Sequence, residues 1–306
     1  MDVFRTPEDR FAGLVDFPYE PRYRDHEGLR LAHVDEGDGP PVVMLHGQPT
    51  WGYLFRRLIP PLLESGYRCV VPDLPGFGRS DKPLDQSWYS IARHVDALGA
   101  LLDELDLQDV TLVMHDWGGP LGLRLAAVEM PERIARLAVM DSVLTGDEEL
   151  GDFWRGFRDI VMDRPLIPTG RIVRMGCADR PSREVTRAYD APFPAGSSQA
   201  GVRAFPDLIP FTPDAPGADL IRDTIDGLRG DTRPALTMWA DSDPIFPRER
   251  FAGQLREILP RGGEPLTVER AGHFLQEDRG DWIGRLIADW LAAVTPARAA
   301  APRAPA

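Results

Sequence analysis

An aspartate lies where a predicted strand turns sharply into a predicted helix, and its surroundings suit a nucleophile. Asp116 lies within His115-Asp116-Trp117-Gly118-Gly119, between the apolar run Val110–Met114 and the helix-like stretch Pro120–Glu129. The glycines permit the tight turn of a nucleophile elbow, and a helix N-terminus keeps a carboxylate ionised. An aspartate also serves as an ordinary helix N-cap. The preceding apolar strand and the glycine pair favour the nucleophile.

The choice of aspartate rather than serine indicates reaction at an alkyl carbon. A serine that attacks an sp3 carbon makes an ether, which the same site cannot hydrolyse. A carboxylate makes an ester, which water cleaves while the enzyme is regenerated. The residue type therefore predicts displacement of a halide or of an epoxide oxygen.

A histidine near the C-terminus is the predicted base, and two aspartates compete as its acid partner. His273 follows a strand-like segment and Gly272, in the nucleophile–acid–histidine chain order. Asp243 follows a late apolar strand, and Asp141 ends the strand after the nucleophile, so both belong at the carboxyl edge of a sheet. Asp243 is favoured and Asp141 stays the alternative acid, while Asp241 suits a loop brace.

Two further turns follow predicted strands. The first, His46-Gly47-Gln48-Pro49-Thr50-Trp51, can present backbone N–H groups at the mouth of the sheet, with Gly47 permitting close approach. An ordinary strand-to-helix turn remains the alternative there. The second, Pro72–Asp81, is rich in glycine but lacks the lysine of a phosphate-binding loop, so we expect a scaffold loop.

Short apolar runs that alternate with helix-length segments must position these turns. This alternation predicts an α/β fold, with a mostly parallel central sheet flanked by helices. The alternation of apolar runs and helix-length segments stops after Leu144 and resumes at Ala235, which predicts an inserted helical domain. We therefore expect a core domain over residues 1–143 and 225–294, a helical cap over 144–224 and a disordered tail over 295–306. The predicted strands are Leu29–Asp35, Pro41–His46, Cys69–Val71, Val110–Met114, Leu137–Met140 and Ala235–Trp239, and the predicted helices include Ile91–Leu105, Phe153–Met162, Ser182–Asp190, Leu220–Leu228, Arg248–Leu259 and Trp282–Ala293.

Composition and net charge argue against several classes of protein. The 306 residues are 43% hydrophobic and carry 35 basic against 48 acidic side chains, a net charge of −13. So negative a surface argues against nucleic acid and against polybasic membrane docking. Cys69 lies in an apolar run, so both it and Cys177 are expected to be reduced. Without an apolar leader or a long apolar span, the sequence predicts a cytoplasmic enzyme.

Taken together, these motifs resemble the haloalkane dehalogenases of the α/β-hydrolase superfamily. The resemblance spans about residues 1–292 and is closest to the branch whose triad acid follows the later strand, which supports Asp243. The matching segments are His46–Trp51 with Tyr53–Arg56, Asp73–Pro83, His115–Gly119, Asp190–Pro194, Gln199–Pro206 and Ala271–Glu277.

The resemblance implies a reaction in two steps within an α/β-hydrolase fold. Asp116 would displace halide and form an alkyl ester. His273, polarised by Asp243, would activate the water that hydrolyses this ester to a primary alcohol. Backbone N–H groups of Gln48 and Trp117 would form the oxyanion hole. The resemblance implies a haloalkane and water as the small-molecule partners and neither cofactor nor metal. We expect a monomer.

The resemblance also implies a halide site made of indole N–H groups. Trp117 would supply one, and Trp154, the sole tryptophan between Leu144 and Asp223, would supply the second. The family has glutamate or asparagine where this chain has Gln48, whose side-chain amide would be a third donor without a charge.

Other classes fit the sequence less well. An epoxide hydrolase needs a pair of acidic cap hydroxyls, and the inserted region has one tyrosine, Tyr189. A haloacid dehalogenase needs cations beside the nucleophile, where Trp117 stands instead. A binding protein without catalysis has no reason to keep a nucleophile, a base and an acid together.

Overall fold

A central sheet of eight strands forms the framework of the protein. The structure, a computed structural model, describes residues 1–144, 155–156, 158–159, 164–210, 212 and 214–295. The strands order β10-β9-β8-β7-β4-β5-β3-β2 in this sheet, while β1 and β6 pair separately. Their bounds are β1 (Val3–Phe4), β2 (Arg22–His26), β3 (Leu29–Glu36), β4 (Pro41–Leu45), β5 (Arg68–Pro72), β6 (Lys82–Pro83), β7 (Val110–His115), β8 (Ile134–Met140), β9 (Ala235–Ala240) and β10 (Leu266–Val268).

Most strands of the sheet are parallel, as the sequence predicts for an α/β fold. β4, β5, β7, β8, β9 and β10 pair in parallel, and β3 joins antiparallel to β5 with β2 at the outer edge. The carboxyl ends of parallel strands share one edge of a sheet. The loops that follow β4, β7, β8 and β9 therefore meet at that edge, although they are far apart in sequence.

Helices cover both faces of the sheet. Along β4, Val43 and Leu45 join one hydrophobic core, and Val42 and Met44 join the core on the opposite face. This doubly buried arrangement explains why the parallel strands are continuous apolar runs. The α-helices are α1 (Ile59–Glu64), α2 (Ile91–Glu104), α3 (Gly118–Arg124), α4 (Thr169–Gly176), α5 (Arg183–Asp190), α6 (Ala200–Ala204), α7 (Ala218–Leu228), α8 (Arg248–Ile258) and α9 (Leu275–Val294).

The predicted bounds of two helices are wrong. The helix predicted over Pro120–Glu129 begins at Gly118, and its last part, Leu125–Glu129, is a π-helix. The helix predicted from Trp282 begins at Leu275 and contains one residue with non-helical backbone angles, Arg279. The predicted domain boundary at 224/225 falls inside α7, a helix that packs on α3 of the core.

Other expectations concern single residues or segments. Cys69 and Cys177 are both free, as predicted. Within the described part of the chain, no helix has the length and apolar character needed to cross a membrane. The helix predicted over Phe153–Met162 lies largely outside the described residues. Apart from Thr295, so does the tail predicted over 295–306.

Candidate active site

Asp116 lies at a sharp turn between β7 and α3. Its φ is +50°, a left-handed conformation that costs free energy for a non-glycine residue. A Cβ on Gly118 would lie 2.1 Å from the carbonyl oxygen of Leu45, and one on Gly119 would lie 1.8 Å from Oγ of Ser142. The Gly119 N–H and the Ser142 hydroxyl donate to the Asp116 carbonyl at 2.9 and 2.8 Å. Only glycines let these elements meet, and the turn presents the carboxylate beyond the sheet edge.

The two carboxylate oxygens of Asp116 have different surroundings. Oδ1 accepts the backbone N–H of Gln48 at 2.7 Å, from the turn after β4. A Cβ on Gly47 would lie 2.0 Å from Oδ1, so this turn also requires glycine. Oδ2 lies 3.7 Å from Nε2 of His273. One oxygen is therefore held by a backbone donor while the other faces the imidazole.

His273 is buried between Asp116 and Asp243. Its Nδ1 lies 2.9 Å from Oδ2 of Asp243, whose Oδ1 accepts the backbone N–H groups of Ile245 and Phe246. Burial alone would lower the pKa of His273. The charge of Asp243, the hydrogen bond to Asp243 and the nearby carboxylate of Asp116 outweigh burial and raise that pKa well above its usual value. The resting arrangement thus favours an imidazolium between two carboxylates.

Asp141, the alternative acid, lies beside this pair without bonding to the imidazole. Oxygen atoms of Asp141 and Asp243 and a ring nitrogen of His273 lie within 4.8 Å of one another. Oδ1 of Asp141 accepts the Ala240 N–H at 2.9 Å, and its buried Oδ2 has no partner among the described residues. Burial and the charge of Asp243 raise the pKa of Asp141 well above its usual value. Asp141 is thereby favoured as a neutral acid.

Asp241, the third aspartate considered, binds loop backbone. Its carboxylate accepts the N–H groups of Arg270 and Ala271 at 2.8 and 3.2 Å. It therefore braces the segment that leads to His273 and does not approach the imidazole as a hydrogen-bond partner.

The residues predicted to bind halide are only partly described. The indole N–H groups of the buried Trp51 and Trp239 donate to backbone carbonyls. Trp117 is 6% exposed, and its ring packs edge-on against the ring of Phe205 with centroids 5.1 Å apart. Nε2 of Gln48 donates to the Val202 carbonyl at 2.6 Å, and its buried Oε1 has no partner within the described part. Trp154 lies outside the described residues.

Two buried histidines that the sequence analysis assigned only to turns hold the site in place. His115 contacts the backbone of the base, with Nε2 2.8 Å from the carbonyl oxygen of His273. His46 accepts the Leu74 N–H at Nε2 and faces the Gly47 carbonyl through Nδ1. Burial lowers the pKa of His46 to about 4 and that of His115 to about 3, so both stay neutral. In the sequence, the only sign of these roles is that His46 and His115 belong to the two turn motifs next to the predicted nucleophile.

Comparisons with known proteins agree on one family. Residues 40–164 match the family model described as alpha/beta hydrolase fold. A haloalkane dehalogenase of Psychrobacter cryohalolentis is 40% identical, covering 95% of this chain and 98% of that protein. Haloalkane dehalogenase 1 of Mycobacterium tuberculosis is 43% identical, covering 95% and 99%. The tetrameric structure of a haloalkane dehalogenase from Paraglaciecola agarilytica is 32% identical with a TM-score of 0.84, covering 97% of this chain and 100% of that one.

The geometry predicts unequal effects of removing the two acids. Asp243→Asn removes the charge bonded to Nδ1 of His273 and should slow bromide release from 1,2-dibromoethane about ten-thousandfold, as such a change does in a Ser-His-Asp triad. Asp141→Asn replaces a neutral acid by a neutral amide and should change the rate by no more than a few-fold. A crippled Asp141→Asn beside a nearly unaffected Asp243→Asn would contradict this assignment.

Proposed function

This chain belongs to the haloalkane dehalogenase family of the α/β-hydrolase fold, and we propose that Asp116, His273 and Asp243 carry out its reaction. The enzyme hydrolyses the carbon–halogen bond of haloalkanes and releases a primary alcohol and halide. One observation carries the assignment: a buried imidazole lies between a carboxylate at a nucleophile elbow and a second, backbone-anchored carboxylate.

In the first step Asp116 attacks the carbon that bears the halogen. Oδ2 is suited to the attack, because Oδ1 is already held by the Gln48 N–H. A C–O bond forms as the carbon–halogen bond breaks, and the halide leaves with the bonding electron pair. The product is a neutral alkyl ester on Asp116.

The ester changes the environment of His273. In the resting enzyme the negative charge of Asp116 helps to raise the pKa of the imidazole. Esterification removes this charge. The pKa of His273 therefore falls, and the ring releases its proton to solvent, which leaves a neutral imidazole that can act as a base. The retained charge of Asp243 keeps the ring oriented through Nδ1.

In the second step His273 takes a proton from water at Nε2 while the water oxygen attacks the ester carbonyl carbon. The backbone N–H of Gln48 stabilises the negative charge that develops on Oδ1. We assign the backbone N–H of Trp117 as the second donor. The tetrahedral intermediate collapses as the imidazolium protonates the leaving alkoxide, which departs as alcohol. Asp116 then passes the second proton of the water to His273, which regenerates the carboxylate and the imidazolium of the resting enzyme.

For the halide we propose the indole donors of Trp117 and Trp154, with Gln48 as a third. Trp117 directly follows Asp116 and is 6% exposed, which supports its part, and the family resemblance is the basis for Trp154. The Gln48 amide commits one hydrogen to Val202, so one remains for the halide.

The epoxide hydrolase alternative is weaker in the structure than dehalogenation. Tyr189, the one tyrosine of the inserted region, is fully buried, and its hydroxyl donates to Glu277. It is therefore committed to another group rather than offered to an opening epoxide ring.

We also propose the division into a core over residues 1–143 and 225–294 and a cap over 144–224. The monomeric state and the cytoplasmic location stay predictions from the sequence.

Trapping the ester tests the proposed nucleophile and base together. His273→Gln should leave alkylation intact and block hydrolysis, so the Asp116 peptide should gain one 2-bromoethyl group after exposure to 1,2-dibromoethane. Peptide mass spectrometry measures this gain, and Asp116→Asn in the same background is the control without an adduct. An unmodified Asp116 in a folded His273→Gln variant that still binds bromide would refute the mechanism.

Removing an indole donor tests the halide site. Loss of one oriented donor costs about 3 kcal/mol, or roughly a hundredfold in rate. Trp117→Phe and Trp154→Phe should each slow alkylation on this scale and abolish much of the bromide-induced change in fluorescence. Gln48→Glu should be milder. Trp282→Phe, at a tryptophan 46% exposed on α9, is the matched control. A Trp154→Phe variant that behaves like wild type would place the second donor elsewhere.

A further inference from the structure

The carboxylate of Asp278 joins the turn that carries His273 to a segment of the inserted region. Its Oδ2 accepts two backbone N–H groups, from Gly272 and from Ala178, each at 2.9 Å. Its Oδ1 accepts the N–H of Asp179 at 2.9 Å. Asp278 is 6% exposed, so these are buried, charge-assisted hydrogen bonds. One oxygen atom is thus shared between the residue before the base and the segment that follows α4.

The backbones that Asp278 joins lie in direct contact. A Cβ on Gly272 would lie 2.2 Å from the carbonyl oxygen of Gly176, and one on Gly176 would lie 2.7 Å from the ring of Phe274. So close an approach leaves no room for water between the segments, and buried N–H groups then need a protein acceptor. Asp278 provides that acceptor for both segments.

The neighbouring Glu277 anchors the same region. Its carboxylate pairs with Arg56, with Oε2 2.8 Å from Nη2, and both side chains are 3% exposed. The Tyr189 hydroxyl, at the end of α5, donates to the same carboxylate. The start of α9 is therefore fixed to core and cap alike, and a change at Asp278 should act locally.

The position of the His273 backbone determines how the imidazole meets Asp116. His115 holds the carbonyl of His273 from one side, and Asp278 holds the preceding Gly272 N–H from the other. We propose that Asp278 is a positioning residue: it links the position of the cap segment after α4 to the position of His273. It touches neither the nucleophile nor the second acid, so it acts through the turn.

This inference rests on the proposed function, and it predicts which step depends on Asp278. Alkylation requires Asp116 and the halide donors, whereas hydrolysis requires Nε2 of His273 to be placed against a water molecule and the ester. Small errors in such placement cost large factors in rate. Loss of the Asp278 contacts should therefore slow hydrolysis of the ester more than its formation.

Single-turnover experiments with 1,2-dibromoethane separate the two steps. Rapid quenching followed by intact-protein mass spectrometry gives the rate constants for ester formation and decay. In Asp278→Ala we expect decay to slow by about tenfold or more, with formation within about threefold of wild type. The ester should then accumulate during turnover. Asp278→Asn should be intermediate, since its one amide oxygen still accepts hydrogen bonds at the shared position.

Asp281→Asn is the matched control, because Asp281 lies on the same helix, and its side chain is 44% exposed and pairs with Arg57. It should match wild type in both steps. Equal slowing of both steps in Asp278→Ala, or slowing of formation alone, would overturn the inference and leave Asp278 as a cap anchor. If Asp278→Ala fails to fold, an unchanged ratio of the two rate constants in Asp278→Asn overturns it equally. Failure of the proposed function is distinct, because His273→Gln would then show no adduct on Asp116.

Discussion

The buried ionic arrangement of Asp116, His273 and Asp243 constrains the rest of the site. Two carboxylates and an imidazole placed out of water are destabilising unless each charge is paired and hydrogen-bonded. The protein meets this requirement with backbone N–H groups on Asp116 and Asp243 and with a raised pKa of His273, which favours the imidazolium. Burial and the charge of Asp243 raise the pKa of a third buried acid, Asp141, which favours its neutral form. In the proposed mechanism the same balance supports catalysis, because esterification of Asp116 removes one of the charges that raise the pKa of His273.

Glycines and neutral histidines make this arrangement possible. Gly47 and Gly118 let the turns after β4 and β7 approach until the Gln48 N–H reaches the nucleophile. His115 supports the backbone of the base and stays uncharged because burial lowers its pKa to about 3. These groups perform no chemistry in the proposed mechanism. Without them the reacting atoms would not meet.

Some parts of the candidate site can be predicted from the sequence because adjacent residues encode them. Asp116 was recognisable because strand, turn and helix signals are adjacent, and the parallel sheet followed from runs such as Val110–Met114. The contact of Gln48 with Val202 spans 154 positions and depends on how the inserted region folds onto the core. Asp278 likewise needed three-dimensional contacts to be recognised. Strand β2, Arg22–His26, was missed because an outer-edge strand needs no apolar run.

The pKa of His273 tests the central claim most directly. NMR titration of its imidazole nitrogens should show a resting enzyme that keeps the imidazolium well above the ordinary histidine pKa of about 6.5. Asp116→Asn imitates the uncharged ester and should lower that pKa clearly, with Asp141→Asn as a neutral-for-neutral control that leaves it nearly unchanged. The same His273 pKa in wild type and Asp116→Asn would contradict the account, because the charge of the nucleophile would then not control the base.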